Sequence, residues 1–155
     1  MDRLIVDASV AIAWVHPGQA TPETDALLAE VNEGAILVVP ALWSVETANA
    51  LVVLERRKKL TAEERDDALA ALRGLAFETD HEMSVLAFTK LAQLAADHAL
   101  SVYDAAYLEL AVRLKIPLAC KDGPLREAAK RRRVPLLPRG GTPLMFRSWI
   151  TRMPS

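Results

Sequence analysis

Short apolar runs alternate along this chain with segments bracketed by helix start and stop signals. No other feature constrains the fold as much. The runs are RLIV (3–6), AILVV (35–39), AFET (76–79), IPLAC (116–120) and VPLL (134–137). Between them lie helix-length segments at 8–15, 21–34, about 41–59, 61–74, 84–99, 101–115 and 123–133. Thr21 as cap, Pro22 at the first position and Gly34 as stop frame the second of these. Thr61 and Glu64 have capping-box spacing, with a stop at Gly74. Near-continuous apolar strands joined through helices predict parallel pairing with both faces covered. The expected fold class is α/β: a three-layer α/β/α sandwich with a mostly parallel sheet of about five strands. A single domain over residues 1–155 suits the length, with the Pro-, Gly- and Arg-rich stretch 138–155 as a surface tail.

Composition excludes several classes. Hydrophobic residues at 52% and charged residues at 25% suit an ordinary core and argue against disorder. A single cysteine, Cys120, excludes an internal disulfide and favours a reducing compartment. The start MDRLIV lacks a basic signal region, and no apolar run approaches the ~20 residues of a membrane span. A cytoplasmic chain without membrane contact is expected. Net charge is −1, yet residues 121–155 hold nine Lys and Arg against two acids, a net of +7, which leaves −8 for the first 120. That asymmetry hints at a nucleic acid or an acidic partner, although from charge alone a solubilising helix face and tail is the better explanation.

The run LIVDASVAIAW (4–14) carries one charge, Asp7, amid apolar and small residues. A carboxylate there costs several kcal/mol if buried without a partner. In parallel α/β sheets, ligands bind outside the carboxyl ends of strands, where strand order reverses. Asp7 ends the first strand, and Asp122 follows IPLAC. At roughly 100° per residue, Glu46 shares a helix face with Leu42, Asn49, Ala50 and Val53. Ser44, Ala48, Glu55 and Lys59 fall opposite. By the same count Asp104 shares a face with Leu108 and Ala111, while Glu109 and Arg113 mark a solvated side.

Each acid has a plain structural alternative. Asp7 or Ser9 can cap the helix from residue 8, and Ser101 with Asp104 has capping-box spacing. Asp122 lies in the turn sequence KDGP, and Glu46 can reach out to solvent. Taken together, all four fall on one rim of the sheet, and two face inward with no basic residue nearby in sequence. Asp7, Glu46 and Asp104 are therefore expected within metal-bridging reach, with Asp122 beside them. Such a cluster repels itself unless a cation neutralises it. Oxygen donors without His or Cys suit Mg²⁺, with Mn²⁺ as substitute, better than Zn²⁺.

Other chemistries find less support. His16, His81 and His98 lack metal-ligand spacing, no nucleophile elbow surrounds a serine, and Gly140–Gly141 is only a turn signal. Tyr103, Tyr107, Leu110 and Leu114 form a stripe expected in the core, as is Trp14; nothing places Trp43 or Trp149.

Four pieces, LIVDASV, PALWSVETANAL, LSVYDAAYLELA and LACKDGPLREAAK, occur in an order that resembles the PIN-domain family, in particular the VapC-type toxin ribonucleases. The resemblance covers about residues 3–137. It implies that the strands ending at Asp7 and Cys120 lie side by side. It also implies ligand and catalytic roles for Asp7, Glu46, Asp104 and Asp122, with Ser9 supporting the first aspartate and Asn49 matching the family pattern. Cys120 departs from it, because many relatives carry threonine two places before the last acid, so no hydroxyl is offered there.

The expected function is a Mg²⁺-dependent endoribonuclease, in which the bound ion activates water for in-line attack on an RNA phosphodiester. Arg126, Lys130 and Arg131 are expected to contact the RNA backbone. The resemblance further implies a homodimer silenced by a cognate antitoxin. An RNA-processing nuclease without antitoxin is the nearest alternative. A receiver-like signalling domain fits less well, because it needs two acids after the first strand and a lysine after the last. A non-catalytic relative does not explain the complete acid set.

Overall fold

The β-branched runs pair as the alternation predicts. In the computed structural model, which describes residues 2–121 and 123–138, five strands form one sheet. They are β1 (Arg3–Val6), β2 (Ile36–Pro40), β3 (Phe77–Asp80), β4 (Leu118–Ala119) and β5 (Leu136–Leu137). Their order is β3-β2-β1-β4-β5, and every pairing is parallel. Ile5 sits between Val38 and Leu118, and Leu4, Ile5 and Val6 are fully buried. A central parallel strand must be apolar on both faces, which is why β1 reads as a run rather than an alternation.

The helices are α1 (Ala8–Val15), α2 (Pro22–Asn32), α3 (Leu42–Arg56), α4 (Ala62–Arg73), α5 (Met83–Leu86), α6 (Ala92–His98), α7 (Val102–Leu114) and α8 (Pro124–Arg131). Local chemistry sets their ends. Thr21 and Thr61 each close a capping box, with Thr24 and Glu64 respectively. The segment expected as one helix over 84–99 is α5 and α6 joined by a π turn, Ala87–Leu91.

Strand order steps from β1 to β2 on one side and returns to β4 on the other. The reversal lies between β1 and β4, whose carboxyl ends meet where the Asp7 amide donates to the Ala119 carbonyl (3.0 Å). A receiver-like sheet would run 2-1-3-4-5 instead, so that alternative falls.

Two helices, α3 and α7, differ from expectation in the faces they bury. The residues of α3 that reach the core are Trp43, Thr47 and Leu51, and Trp43 stacks obliquely on Phe77 with ring centroids 5.3 Å apart. Glu46 lies at the margin of this stripe and is half-buried, whereas Asn49 is exposed. Helix α7 is buried on all sides from Ala105 to Ala111, because it packs against β2, α6 and α8. The Glu109–Arg113 pair therefore does not mark a solvated side: Glu109 is 2% exposed. Tyr103 is 64% exposed and lies outside the core stripe of Tyr107 and Leu110. Gly140–Gly141, Trp149 and the expected tail from residue 139 on lie outside the described residues, as does Asp122.

Candidate active site

Asp7 follows the last residue of β1 and is the N-cap of α1. Its Oδ1 accepts from the Val10 amide (3.1 Å) and the Ser9 hydroxyl (2.6 Å). Capping and inward placement are thus one arrangement. Burial pushes the Asp7 carboxyl above its ordinary range; the bonds from Ser9 and Val10 oppose that shift, and the charge of Asp104 adds to it.

Glu46 enters from the second turn of α3. The Tyr107 hydroxyl donates to its Oε1 at 2.6 Å, linking α7 to α3. Burial raises the Glu46 carboxyl, the Tyr107 bond works against this, and the charges of Asp104 and Asp7 reinforce it. Asp104 stands in the first turn of α7, where its amide donates to the Ser101 hydroxyl (3.0 Å). Only this half of a capping box forms. Burial raises the Asp104 carboxyl as well.

Three elements therefore bring three carboxylates into one another's electrostatic field beside the β1–β4 reversal. None of the ion pairs among the described residues involves them. Among the described residues no group of three acid, His or Cys side chains could by itself hold a metal ion, and Asp122, the fourth expected ligand, lies outside them. The donor chemistry still suits a hard cation. All donors are oxygens, no basic side chain among the described residues pairs with them, and Mg²⁺ binds through one or two carboxylates while keeping several waters.

Ser9 and Asn49 line a groove of about 360 Å³ between α1 and α3, with Ile12, Ala50, Val53 and Leu54 forming its apolar walls. Cys120 is fully buried, and burial together with the charge of Asp7 pushes its thiol up to about 12. It stays protonated at neutral pH and is a poor nucleophile or ligand.

The basic residues of α8 divide. Arg126 is 4% exposed, and its guanidinium donates to the carbonyls of Cys120 (2.9 Å), Leu137 (3.3 Å) and Pro138. This corrects the expectation that Arg126 contacts RNA: it ties the carboxyl ends of β4 and β5 to α8, because those carbonyls need a donor where the strands stop. Lys130 pairs with Glu127 (3.3 Å) at the surface, and Arg131, also exposed, reaches His98 (3.4 Å). Tyr107 was not anticipated at the site. Its spacing of three from Asp104 on one helix is the signal that could have placed it there.

A family model described as PIN domain matches residues 4–131. No curated protein matches the chain in sequence. Among solved structures, PAE2754 from Pyrobaculum aerophilum superposes with a TM-score of 0.60 at 18% identity, covering 98% of this chain and 96% of that one. The Mycobacterium tuberculosis toxin VapC20, which cleaves the sarcin-ricin loop, gives 0.61 at 19% identity over 81% of this chain and 94% of its own. FitAcB from Neisseria gonorrhoeae gives 0.56 at 14% identity over 86% and 96%. At such identities the likeness concerns the fold.

Proposed function

Since the chain belongs to the PIN-domain family, we propose that it is a metal-dependent endoribonuclease and the toxin of a toxin–antitoxin pair. The observation that carries this reading is the meeting of Asp7, Glu46 and Asp104 at the strand-order reversal, all with raised carboxyls and without a basic partner among the described residues. A structural role alone would have drawn in a Lys or Arg, since buried acids are otherwise rare.

Mg²⁺, or Mn²⁺ in its place, would be held by these three carboxylates with Asp122, three residues past β4 in sequence; when bound it supplies the Lewis acidity that activates water and stabilises the leaving oxygen. The protein's own groups prepare the place. Ser9 and Val10 fix one oxygen of Asp7 and leave the other for a ligand. Ser101 satisfies the amide of Asp104, so the carboxylate is not spent on its own backbone. The protonated Cys120 adds no competing soft ligand. Lys130 and Arg131 offer exposed charge for the phosphates of single-stranded or structured RNA.

Likeness in fold to a toxin that cleaves the sarcin-ricin loop supports the toxin role and an antitoxin partner. A homodimer belongs to the same reading, and Val85 and Phe88, three residues apart and 72% and 96% exposed, offer apolar side chains for such a contact. No helix among the described residues is long and apolar enough to cross a membrane; a cytoplasmic RNA substrate is part of the same proposal. One domain over 1–155 remains our reading of the chain.

The test is to incubate purified protein with total RNA in Mn²⁺ or in chelator and to sequence the cut ends. Discrete cleavage that chelation abolishes is expected. Cleavage unaffected by chelator, or none with Mn²⁺ across the RNA pool, would overturn the reading.

A further inference from the structure

Glu46 is poorly secured by its own helix. It lies at the margin of the buried stripe of α3, half-exposed, on a side chain with three rotatable bonds. The negative charges it faces, on Asp104 and Asp7, push it toward solvent. Ordering a glutamate side chain costs rotamer entropy. Something must hold it inside the cluster.

The structure offers one donor for that purpose among the described residues, the Tyr107 hydroxyl at 2.6 Å from Oε1. The tyrosine cannot follow an outward swing of Glu46. Its residue is 1% exposed, and its neighbours on α7, Leu108, Leu110 and Ala111, are buried too. We infer that Tyr107 is a positioning residue, whose hydroxyl keeps the Glu46 carboxylate inside the acid cluster, ready for a divalent cation. The donor type matters. An Arg or Lys in its place would also hold Glu46, but would bring a positive charge that competes with the cation. A phenol gives a short hydrogen bond to a carboxylate and adds no charge. A simpler reading is that Glu46 only satisfies a buried hydroxyl, which ordinarily finds a partner.

This role rests on the nuclease reading above, and the test separates the two. Tyr107→Phe, Glu46→Gln and the double variant of the full chain are titrated with Mn²⁺ by calorimetry, with melting in chelator as a fold control. Tyr107→Phe should weaken Mn²⁺ binding roughly tenfold, as loss of an outer partner of a ligand does. The double variant should bind no worse than Glu46→Gln alone. With saturating Mn²⁺, kcat of Tyr107→Phe should fall while KM for RNA holds. Unchanged Mn²⁺ affinity, with at most a lower melting temperature, would reduce Tyr107 to a packing residue and overturn the inference. Additive losses in the double variant would also overturn it, since Tyr107 would then act other than through Glu46. Absence of saturable Mn²⁺ binding by the parent chain would instead remove the nuclease reading, and this role with it.

Discussion

Arg113 grips Asp80 with two parallel bonds, Nη1 to Oδ1 at 3.1 Å and Nη2 to Oδ2 at 2.8 Å, across 33 residues of sequence. Its Nε meanwhile donates to both oxygens of Glu109 (2.9 and 3.0 Å). One guanidinium thus ties the end of β3 to α7, the helix that carries Asp104.

Replacing Arg113 by Leu should destabilise the protein by about 3 kcal/mol, because Glu109 would be left buried without its cation. The loss should depend on pH. The Arg113 bond holds the Asp80 carboxyl below its ordinary range, so its share of stability is complete above that range. It disappears as pH falls through the depressed value. Urea unfolding of parent and variant from pH 7 down to pH 2 should show the gap narrowing below about pH 4.

The acid cluster has the opposite sign. Raised carboxyls in the folded protein mean stability that is present at low pH and lost as pH rises through the folded values. In chelator, Asp104→Asn should therefore raise the melting temperature by a few degrees at pH 7.5, and by less at pH 4.5. Scanning calorimetry at both pH values checks this. A melting temperature lowered at pH 7.5 would mean that a basic side chain pairs with the carboxylate after all.

Asp7→Asn and Asp104→Asn should each remove nearly all RNA cleavage, and the double variant should be scarcely worse than either, because groups that hold one ion act as a unit. The fold should survive, since Asn caps a helix start as well as Asp does. Single-turnover rates of the two single variants and the double, alongside circular dichroism, decide the matter. Independent, multiplying losses would point to separate roles.

Cleavage should leave a 5′-phosphate and a 3′-hydroxyl. Using the RNA 2′-OH as nucleophile calls for a general base and acid, commonly histidines, and the residues gathered here are carboxylates. An oligonucleotide with one 2′-deoxy sugar at the cut site should still be cut if it binds. A 2′,3′-cyclic phosphate on the upstream fragment, detected by mass spectrometry, would contradict the mechanism.

Features that neighbouring residues decide could be read from the sequence. The caps at Thr21 and Thr61, the apolar β1 and the parallel sheet all depend on chemistry within a few positions. So does the inward placement of Asp7 and Asp104 at element ends. What stayed hidden depends on partners distant in sequence. Glu109 and Arg113 have the spacing of a surface pair, and only the approach of Asp80 and the surrounding elements buries them. Arg126 reads as an RNA contact until the carbonyls of Leu137 and Pro138 arrive beside it. Tyr107 reads as core, and it is core, apart from an oxygen that finds Glu46 on another helix. For α3 the periodic count is out of phase: it puts Glu46 on the inward face, whereas Trp43, Thr47 and Leu51 are the buried residues.

The enclosure of Cys120 makes the protein its own clock. It is the only thiol in the chain, fully covered at the end of the strand beside β1. With the thiol pushed up to about 12, alkylating reagents find almost no thiolate while the edge of β4 stays closed. Any modification at neutral pH therefore counts openings of the sheet next to Asp7. A ligand that tightens that rim would slow the count without needing a substrate, a label or an engineered residue.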